Sequence, residues 1–281
     1  MAGNVDFQQF VLSEEHRALQ EAVRDLVRDK IAPRAAEIDE TGEFPWDVCE
    51  ALRAADFHAL HIPEEYGGQG GDALATCLVI EEVARGCVSS SLIPAVNKLG
   101  TLPLMLSASD EVKQRYLPKV ASGEAMFSYC LSEREAGSDA AAMKTRGVRD
   151  GDAYVLNGQK SWISNAGAST YYTVMAVTDP GAGPRGISAF VVEKDDPGFS
   201  VGTGERKLGI HGSPTCTMVY DGATGWLVGE PNRGLACMFT MMNNARLGVG
   251  LQGVAIAERA YQQALAYARD RRQGRAASAT E

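Results

Sequence analysis

YCLSEREAGSD (Tyr129–Asp139) passes from an aromatic, apolar run into small polar residues, and the chain changes character around it. Ala136-Gly137-Ser138 leave backbone N–H groups uncovered, and Ser132 and Ser138 add hydroxyls. Such a cluster of donors suits an anion such as a pyrophosphate. A short way on, KSWISN (Lys160–Asn165) sets one large aromatic, Trp162, beside the small hydroxyl of Ser164. That pairing suits a flat ring that needs a stacking wall and a hydrogen bond at its edge. Together the two segments describe a site for a cofactor with both a pyrophosphate and a ring system, as a flavin has.

Towards the N-terminus the pattern is helical. Leu19, Val23, Leu26 and Val27 form an apolar stripe over Ser13–Ile31, ended by Pro33. A second helix is predicted over Trp46–Ala55 with Pro45 at its start, then a loop at Glu64–Gly71. Apolar helices follow over Asp72–Arg85 and Ser90–Leu99, with Pro94 tolerable only near a first turn. Ser109 or Asp110 caps one more, through Val120.

From Met126 to about Val228 the signal is short β-rich runs separated by Gly, Asp and Pro. Strands are predicted at Thr145–Arg149, Ala153–Leu156, Tyr171–Val177, Ile187–Val192 and Cys216–Tyr220. Asp150-Gly151-Asp152 reads as a hairpin turn, Asn157-Gly158 as another turn, and Thr178–Gly186 as a surface loop. Gly234–Arg271 is helical again, and a lone helix this apolar on one side needs partner helices. The expected fold is therefore α+β: an N-terminal helical bundle (1–125), a middle antiparallel β-domain (126–231) and the start of a C-terminal helical bundle (232–281).

Composition narrows the function. The 281 residues carry a net charge of −9, which argues against general nucleic-acid binding but not against an anionic cofactor held locally. Six cysteines at 49, 77, 87, 130, 216 and 237 form no CxxC pair, and free thiols with no N-terminal signal make a cytoplasmic protein the expectation. No apolar stretch reaches the ~18 residues of a spanning helix. His211, in KLGIHGSPT, reads as a solvated loop residue with no second histidine nearby, so no metal site is expected. GxGxxG strings at Gly181–Gly186 and Gly248–Gly253 lack the strand-then-helix setting of a dinucleotide fold. A P-loop and a GxSxG elbow are both missing. Arg246, in MNNARLGVG, is a surface arginine or a phosphate contact. The basic run Ala268–Arg275 suits a helix C-terminus, with phosphate binding as its rival.

YCLSEREAGSD, KSWISNAG, KLGIHGSPT and IPEEYGGQGGD (Ile62–Asp72), in this order within a helix–β–helix chain, resemble the acyl-CoA dehydrogenase family. Up to about Thr215 the chain looks like its short-chain and branched-chain members. Beyond that, YDGATGWLVGEPNRGLACMFTMMNNARLGVG looks like methylthiopropanoyl-CoA dehydrogenases. The resemblance implies FAD as cofactor, an acyl-CoA substrate, an electron-transfer flavoprotein as electron acceptor, and a homo-oligomer, dimer or tetramer. It places Tyr129, Leu131, Ser132, Trp162, Ile163 and Ser164 around the isoalloxazine, Gly137 and Ser138 at the pyrophosphate, and Ser138 near the acyl-CoA. Arg246, with Asn243 where the family often has Asp, would meet CoA. Arg271 and Gln273 would meet the FAD of a neighbouring subunit. Arg134 stands where many members have proline. The family's catalytic glutamate falls in a C-terminal region beyond Glu281, and its alternative position is here Ala245. The expectation is thus a truncated chain, inactive or nearly so by itself, with a non-catalytic flavin- or CoA-binding module and an oxidase-like flavoenzyme as the rival readings.

Overall fold

The computed structural model describes residues 11–274. α1 (Glu14–Leu26) opens on Ser13, whose hydroxyl accepts the His16 N–H at 3.1 Å, with two acids in the first turn facing the helix dipole. A widened turn at Val27–Ile31 and a tight one at Ala32–Arg34 carry the chain past Pro33 into α2 (Ala35–Thr41). α3 spans Trp46–Ala54. α4 (Ala73–Gly86) begins at Asp72, which accepts the Ala75 N–H at 2.7 Å. α6 (Asp110–Ala121) begins at Ser109, as expected.

α5 departs from expectation. It runs unbroken over Val88–Ser107, with Pro94 and Pro103 both inside it. Each proline removes one N–H from the helical ladder. Burial decides the matter, since Ile93, Pro94, Val96, Gly100, Pro103 and Leu104 are all shut from solvent. Gly100 lets α5 lie directly on the first strand: a Cβ there would fall 2.6 Å from the Phe127 Cβ.

The middle region holds β1 (Phe127–Cys130), β2 (Arg146–Asp150), β3 (Ala153–Ser164), β4 (Tyr171–Val177), β5 (Ile187–Glu193), β6 (Phe199–Gly204) and β7 (Thr215–Val228). Pairing runs β1-β4-β2-β3-β7-β5 and closes through β4–β5, with β6 on β7. The sheet is antiparallel apart from β1–β4 and the single β2–β4 pair, which are parallel. β4 and β5 are buried on both faces, which is why they read as continuous apolar runs. Tyr171 and Met175 of β4, with Ile187, Ala189 and Val191 of β5, pack towards the helices. Tyr172, Val174, Ala176, Phe190 and Val192 fill the closed interior.

Asn157-Gly158 is not a turn. β3 passes through it with a register shift, Gly158 takes φ +147°, and Asn157 Oδ1 accepts the Gly222 N–H at 3.0 Å. A strand held by β2 and β7 on its two sides outweighs a local turn preference, and the glycine absorbs the irregularity. β7 likewise runs on through Asp221-Gly222.

α7 (Gly234–Asp270) is one 37-residue helix lying across α4 and α5. Gln252 Nε2 donates to Ser91 Oγ at 2.8 Å, and Arg259 donates to the carbonyls of Arg85 and Gly86 at the α4 C-terminus. The N-terminal helical region, the middle β-region and this helix make up the expected α+β order. Among the described residues no helix is long and apolar enough to cross a membrane. Arg275, the last of the basic run, lies outside the described residues.

Candidate functional site

The Ser161 N–H donates to the Ser132 carbonyl at 2.8 Å, so the two segments that define the site are joined backbone to backbone. Beyond Ser132 the chain folds into a tight turn, in which Glu133 and Ala136 exchange hydrogen bonds of 3.0 and 3.1 Å. Gly137–Asp139 emerge from it exposed. A Cβ on Gly137 would meet nothing within 4 Å. The open backbone at Gly137 and Ser138 is what an anion approaching N–H groups requires.

Across from this turn β3 is irregular, with a register shift between Lys160 and Ile163. Trp162 takes φ +61° and its indole is 55% exposed. A bulky residue in the left-handed region is strained and persists only where its surroundings enforce it. Here the flanking Lys160 and Ile163 are buried, at 0% and 2% exposure, and Trp162 is turned out as a free wall. Asn165, also left-handed at φ +56°, fixes the strand end: its Nδ2 donates to the Leu92 carbonyl at 2.9 Å and its Oδ1 accepts from Ser213 Oγ at 2.8 Å. Ser128 Oγ donates to the Ser164 carbonyl at 2.7 Å. Among the described residues the Ser164 hydroxyl itself is free.

Ser164 also lines an apolar cavity of about 170 Å³ between α4, α5 and α7. Ile80 and Cys77 come from α4, Leu92, Val96, Lys98 and Leu99 from α5, and Met241, Asn244, Ala245 and Gly248 from α7. Ala245 therefore faces the cavity. No carboxylate lines it among the described residues.

The predicted residues divide clearly. Leu131 and Ser132 follow β1, Trp162 and Ser164 end β3, and the Ser161–Ser132 bond joins the two segments, with Gly137 and Ser138 exposed beyond the turn. The side chains of Tyr129 and Ile163 turn into the two cores instead, leaving only their backbones to the site. The Tyr129 hydroxyl is buried without a partner in the described structure. Arg246 and Asn243 are exposed on α7, hydrogen-bonded to each other at 2.7 Å. Arg271 and Gln273, joined at 3.1 Å, lie past the far end of α7 and do not reach this site. His211 is more than a solvated residue: Nδ1 donates to the Asp39 carbonyl and Nε2 to the Lys207 carbonyl, each at 3.0 Å, tying its loop to α2. These two acceptors raise its pKa.

Beneath the Ser132 turn lies a buried ion pair to which sequence reasoning gave no role. Lys160 Nζ donates to Glu133 Oε1 at 2.8 Å and to the Leu131 carbonyl at 2.9 Å. Glu133 also accepts the Lys144 N–H at 2.6 Å and the Thr145 N–H at 3.0 Å. Burial pushes the carboxyl pKa up, but Lys160 and these donors outweigh it and hold Glu133 below its ordinary value. The signal was present in the sequence: Lys160 falls on the same strand face as Tyr154 and Leu156, at period two. Lys98, in the cavity wall, was missed as well, and nothing in its helical stretch marks it out.

Three family models cover almost the whole chain: the acyl-CoA dehydrogenase N-terminal domain at residues 13–124, the middle domain at 128–223 and the C-terminal domain at 232–280. A probable acyl-CoA dehydrogenase of Mycobacterium tuberculosis, FadE25, is 54% identical over 275 residues, which is 97% of this chain and 71% of that protein. Butyryl-CoA dehydrogenase from Megasphaera elsdenii superposes with a TM-score of 0.89 at 30% identity, over 94% of this chain and 71% of the other. An acyl-CoA dehydrogenase complexed with FAD from Bacillus anthracis superposes at 0.85 with 32% identity, over 93% and 45%.

Proposed function

The chain belongs to the acyl-CoA dehydrogenase family, and on that premise we propose that it binds FAD along Leu131–Ser138 and Trp162–Ser164 and an acyl-CoA thioester in the cavity beside Ser164. The observation that carries this is the Ser161–Ser132 backbone bond, which joins the open N–H turn to the segment carrying the outward Trp162 indole and Ser164, and Ser164 lines an apolar cavity. When bound, FAD supplies the acceptor for a hydride. This chain's residues do the rest of the positioning. Gly137 and Ser138 meet the pyrophosphate, Trp162 walls one face of the ring, and the Ser132 and Ser164 hydroxyls bond its edge. The apolar walls keep water from the acyl group, and Arg246 with Asn243 meets the CoA moiety. Electrons then pass to an electron-transfer flavoprotein. Arg271 and Gln273 serve the FAD of a second copy in a homo-oligomer, in the cytoplasm.

α,β-Dehydrogenation also needs a base for the α-proton. Ala245 occupies the one family position for it that falls in the cavity wall, and no carboxylate lines the cavity among the described residues. The 281-residue chain therefore binds cofactor and thioester but turns over poorly, by about the 10²–10⁴-fold that a positioned base contributes. Ala245 is also what favours a purely binding role over an enzymatic one. The test is a visible spectrum of the purified chain before and after butyryl-CoA under anaerobic conditions, with an artificial electron acceptor for turnover. Bound flavin whose spectrum shifts with little bleaching is expected. Absence of flavin binding refutes the cofactor assignment; turnover of about 1 s⁻¹ or faster refutes the missing base.

A further inference from the structure

His211 sits in the loop that joins β6 to β7, and both of its ring nitrogens face carbonyl oxygens. Nδ1 lies 3.0 Å from the Asp39 carbonyl and 3.0 Å from Asp39 Oδ1, and Nε2 lies 3.0 Å from the Lys207 carbonyl. A carbonyl only accepts. A neutral imidazole carries one N–H and one lone pair, so it satisfies one of these contacts and sets its lone pair against the other. The imidazolium, with two N–H groups, satisfies both. The geometry is that of a charged histidine, and the same two acceptors raise its pKa above the ordinary 6.5.

The Asp39 carbonyl belongs to the last turn of α2, where the terminal C=O groups have no partner within the helix. α2 has no basic residue in that turn, so His211 supplies from outside the cation that a helix C-terminus favours. The charged groups around the ring are Asp39 and Glu40 from α2 and Glu205, Arg206 and Lys207 from the loop. Asp39 favours the imidazolium and Lys207 opposes it, but the Lys207 ammonium is spent on the carbonyls of Ile210 and Ser213.

The loop is held under strain. Ile210 takes φ +55°, an unfavourable conformation for a β-branched residue, and Leu208 near it is fully exposed. Past the ring the chain turns inward. Gly212 lies so close to Ile38 of α2 that a Cβ would collide, and its N–H donates to Ser89 Oγ at 3.3 Å. Ser213 Oγ donates to Asn165 Oδ1 at 2.8 Å, and Asn165 fixes the end of β3 beside Trp162 and Ser164. The ring on α2 is thus two residues from a buried bond that supports the Trp162 wall.

We propose that His211 is a pH-operated latch: its imidazolium holds the Lys207–Ser213 loop on α2, and loss of the proton lets the strained loop lift, loosening the Ser213–Asn165 support of the Trp162 wall. The sign follows from the contacts. A group whose protonated form the fold favours contributes stability below its ordinary pKa and loses it as pH rises through the folded value. The latch is therefore closed below about pH 6.5 and opens as pH rises through that value. Only the link to the flavin rests on assigning FAD to this site.

The test follows the His211 ring and the exchange protection of the Gly212 and Ser213 amides by NMR between about pH 6 and pH 9, corrected for the intrinsic pH dependence of exchange. His211 is expected to titrate above the ordinary histidine value. Protection should fall about two- to fivefold across that titration, the size of a cation's effect at an exposed helix C-terminus. His211→Arg, whose charge persists, should keep protection level, and His211→Gln should lower it at every pH and remove the step. FAD affinity over the same range should weaken by a similar factor in the wild type and stay level in His211→Arg. A wild-type His211 that titrates at or below the ordinary value overturns the latch, whether or not the variants fold. Protection that does not change with pH overturns it too, as does a step that survives in His211→Gln. FAD affinity that holds while the loop opens overturns the coupling to Trp162. Protein that binds no FAD at any pH, with the loop still following His211, overturns the flavin assignment and leaves the latch standing.

Discussion

Lys160→Met should cost this fold about 3 kcal/mol, and the loss should shrink in acid. The variant keeps the apolar stem and removes the ammonium. Glu133, 8% exposed, is left with the Lys144 and Thr145 N–H groups only, and the Leu131 carbonyl loses its donor. Removing one partner of a buried pair costs roughly 3–5 kcal/mol, and the two surviving donors place this case at the lower end. The pH dependence has a definite sign. In the wild type the Glu133 pKa is lowered, so the group contributes stability above the ordinary carboxylate value and loses it as pH falls through the folded value. Without Lys160, burial dominates and the folded pKa rises. The penalty is then largest at neutral pH and is relieved as the carboxyl takes a proton. Urea denaturation at pH 7.5 and pH 5 measures both, by circular dichroism and by the combined fluorescence of Trp46, Trp162 and Trp226. Adding Glu133→Gln to Lys160→Met should recover about 1 kcal/mol or more, because the stranded charge is gone. FAD affinity should fall about tenfold in Lys160→Met, since Leu131 and Ser132 lose their anchor. A loss below about 1 kcal/mol, or a double variant less stable than the single, would refute the clamp.

Two further expectations concern the scaffold. Burial pushes the His61 pKa down to about 3, with Lys98 and His58 adding to it. Its Nε2–H donates to Thr101 Oγ1 at 2.7 Å, because Thr101 already spends its own proton on the Asn97 carbonyl. Stability should therefore fall as pH drops below about 6.5, by up to ~1.4 kcal/mol per pH unit, and His61→Gln should flatten that slope in denaturation curves between pH 6.5 and 4.5. Gly100→Ala should cost about 1–3 kcal/mol by driving α5 off β1, whereas Gly250→Ala, with nothing within 4 Å of its new Cβ, should stabilise by about 0.5–1 kcal/mol. Equal effects at the two glycines, read by the same denaturation, would count against the close approach at Gly100.

The helix–β–helix order was legible because it rests on periodicity, and period 3.6 gives way to period 2 near Met126. Ser109 and Asp72 were legible as helix starts because a cap is a local hydrogen bond. Long-range packing was not. Asn157-Gly158 carries a turn preference, but β2 and β7 hold the strand on either side. Pro94 and Pro103 weaken α5, and tertiary burial repays the loss. The proposed site residues could be named from the sequence, and the contacts that support them could not. Trp162 and Ser164 could be picked out as wall and donor. That Trp162 is turned outward follows from its left-handed backbone, and the anchor beneath it joins Lys160 to a residue 27 positions away.

One helix explains why the predicted site residues do not all meet. Ala245 of α7 faces the cavity with Ser164, and Arg246 follows it on the exposed side. Arg271 stands at the opposite end, some 25 residues on, which is about 37 Å at ~1.5 Å per residue. One continuous helix docked on α4 and α5 through Gln252 and Arg259 does not bring Arg271 back to the Trp162 wall. Along the intervening stretch Val254, Ile256, Tyr261 and Tyr267 are exposed. Arg271 and Gln273 can therefore act on a flavin only if it is held by another copy of the chain. On the proposed reading, in which Arg271 and Gln273 meet the flavin of a second copy, cofactor binding and self-association are coupled.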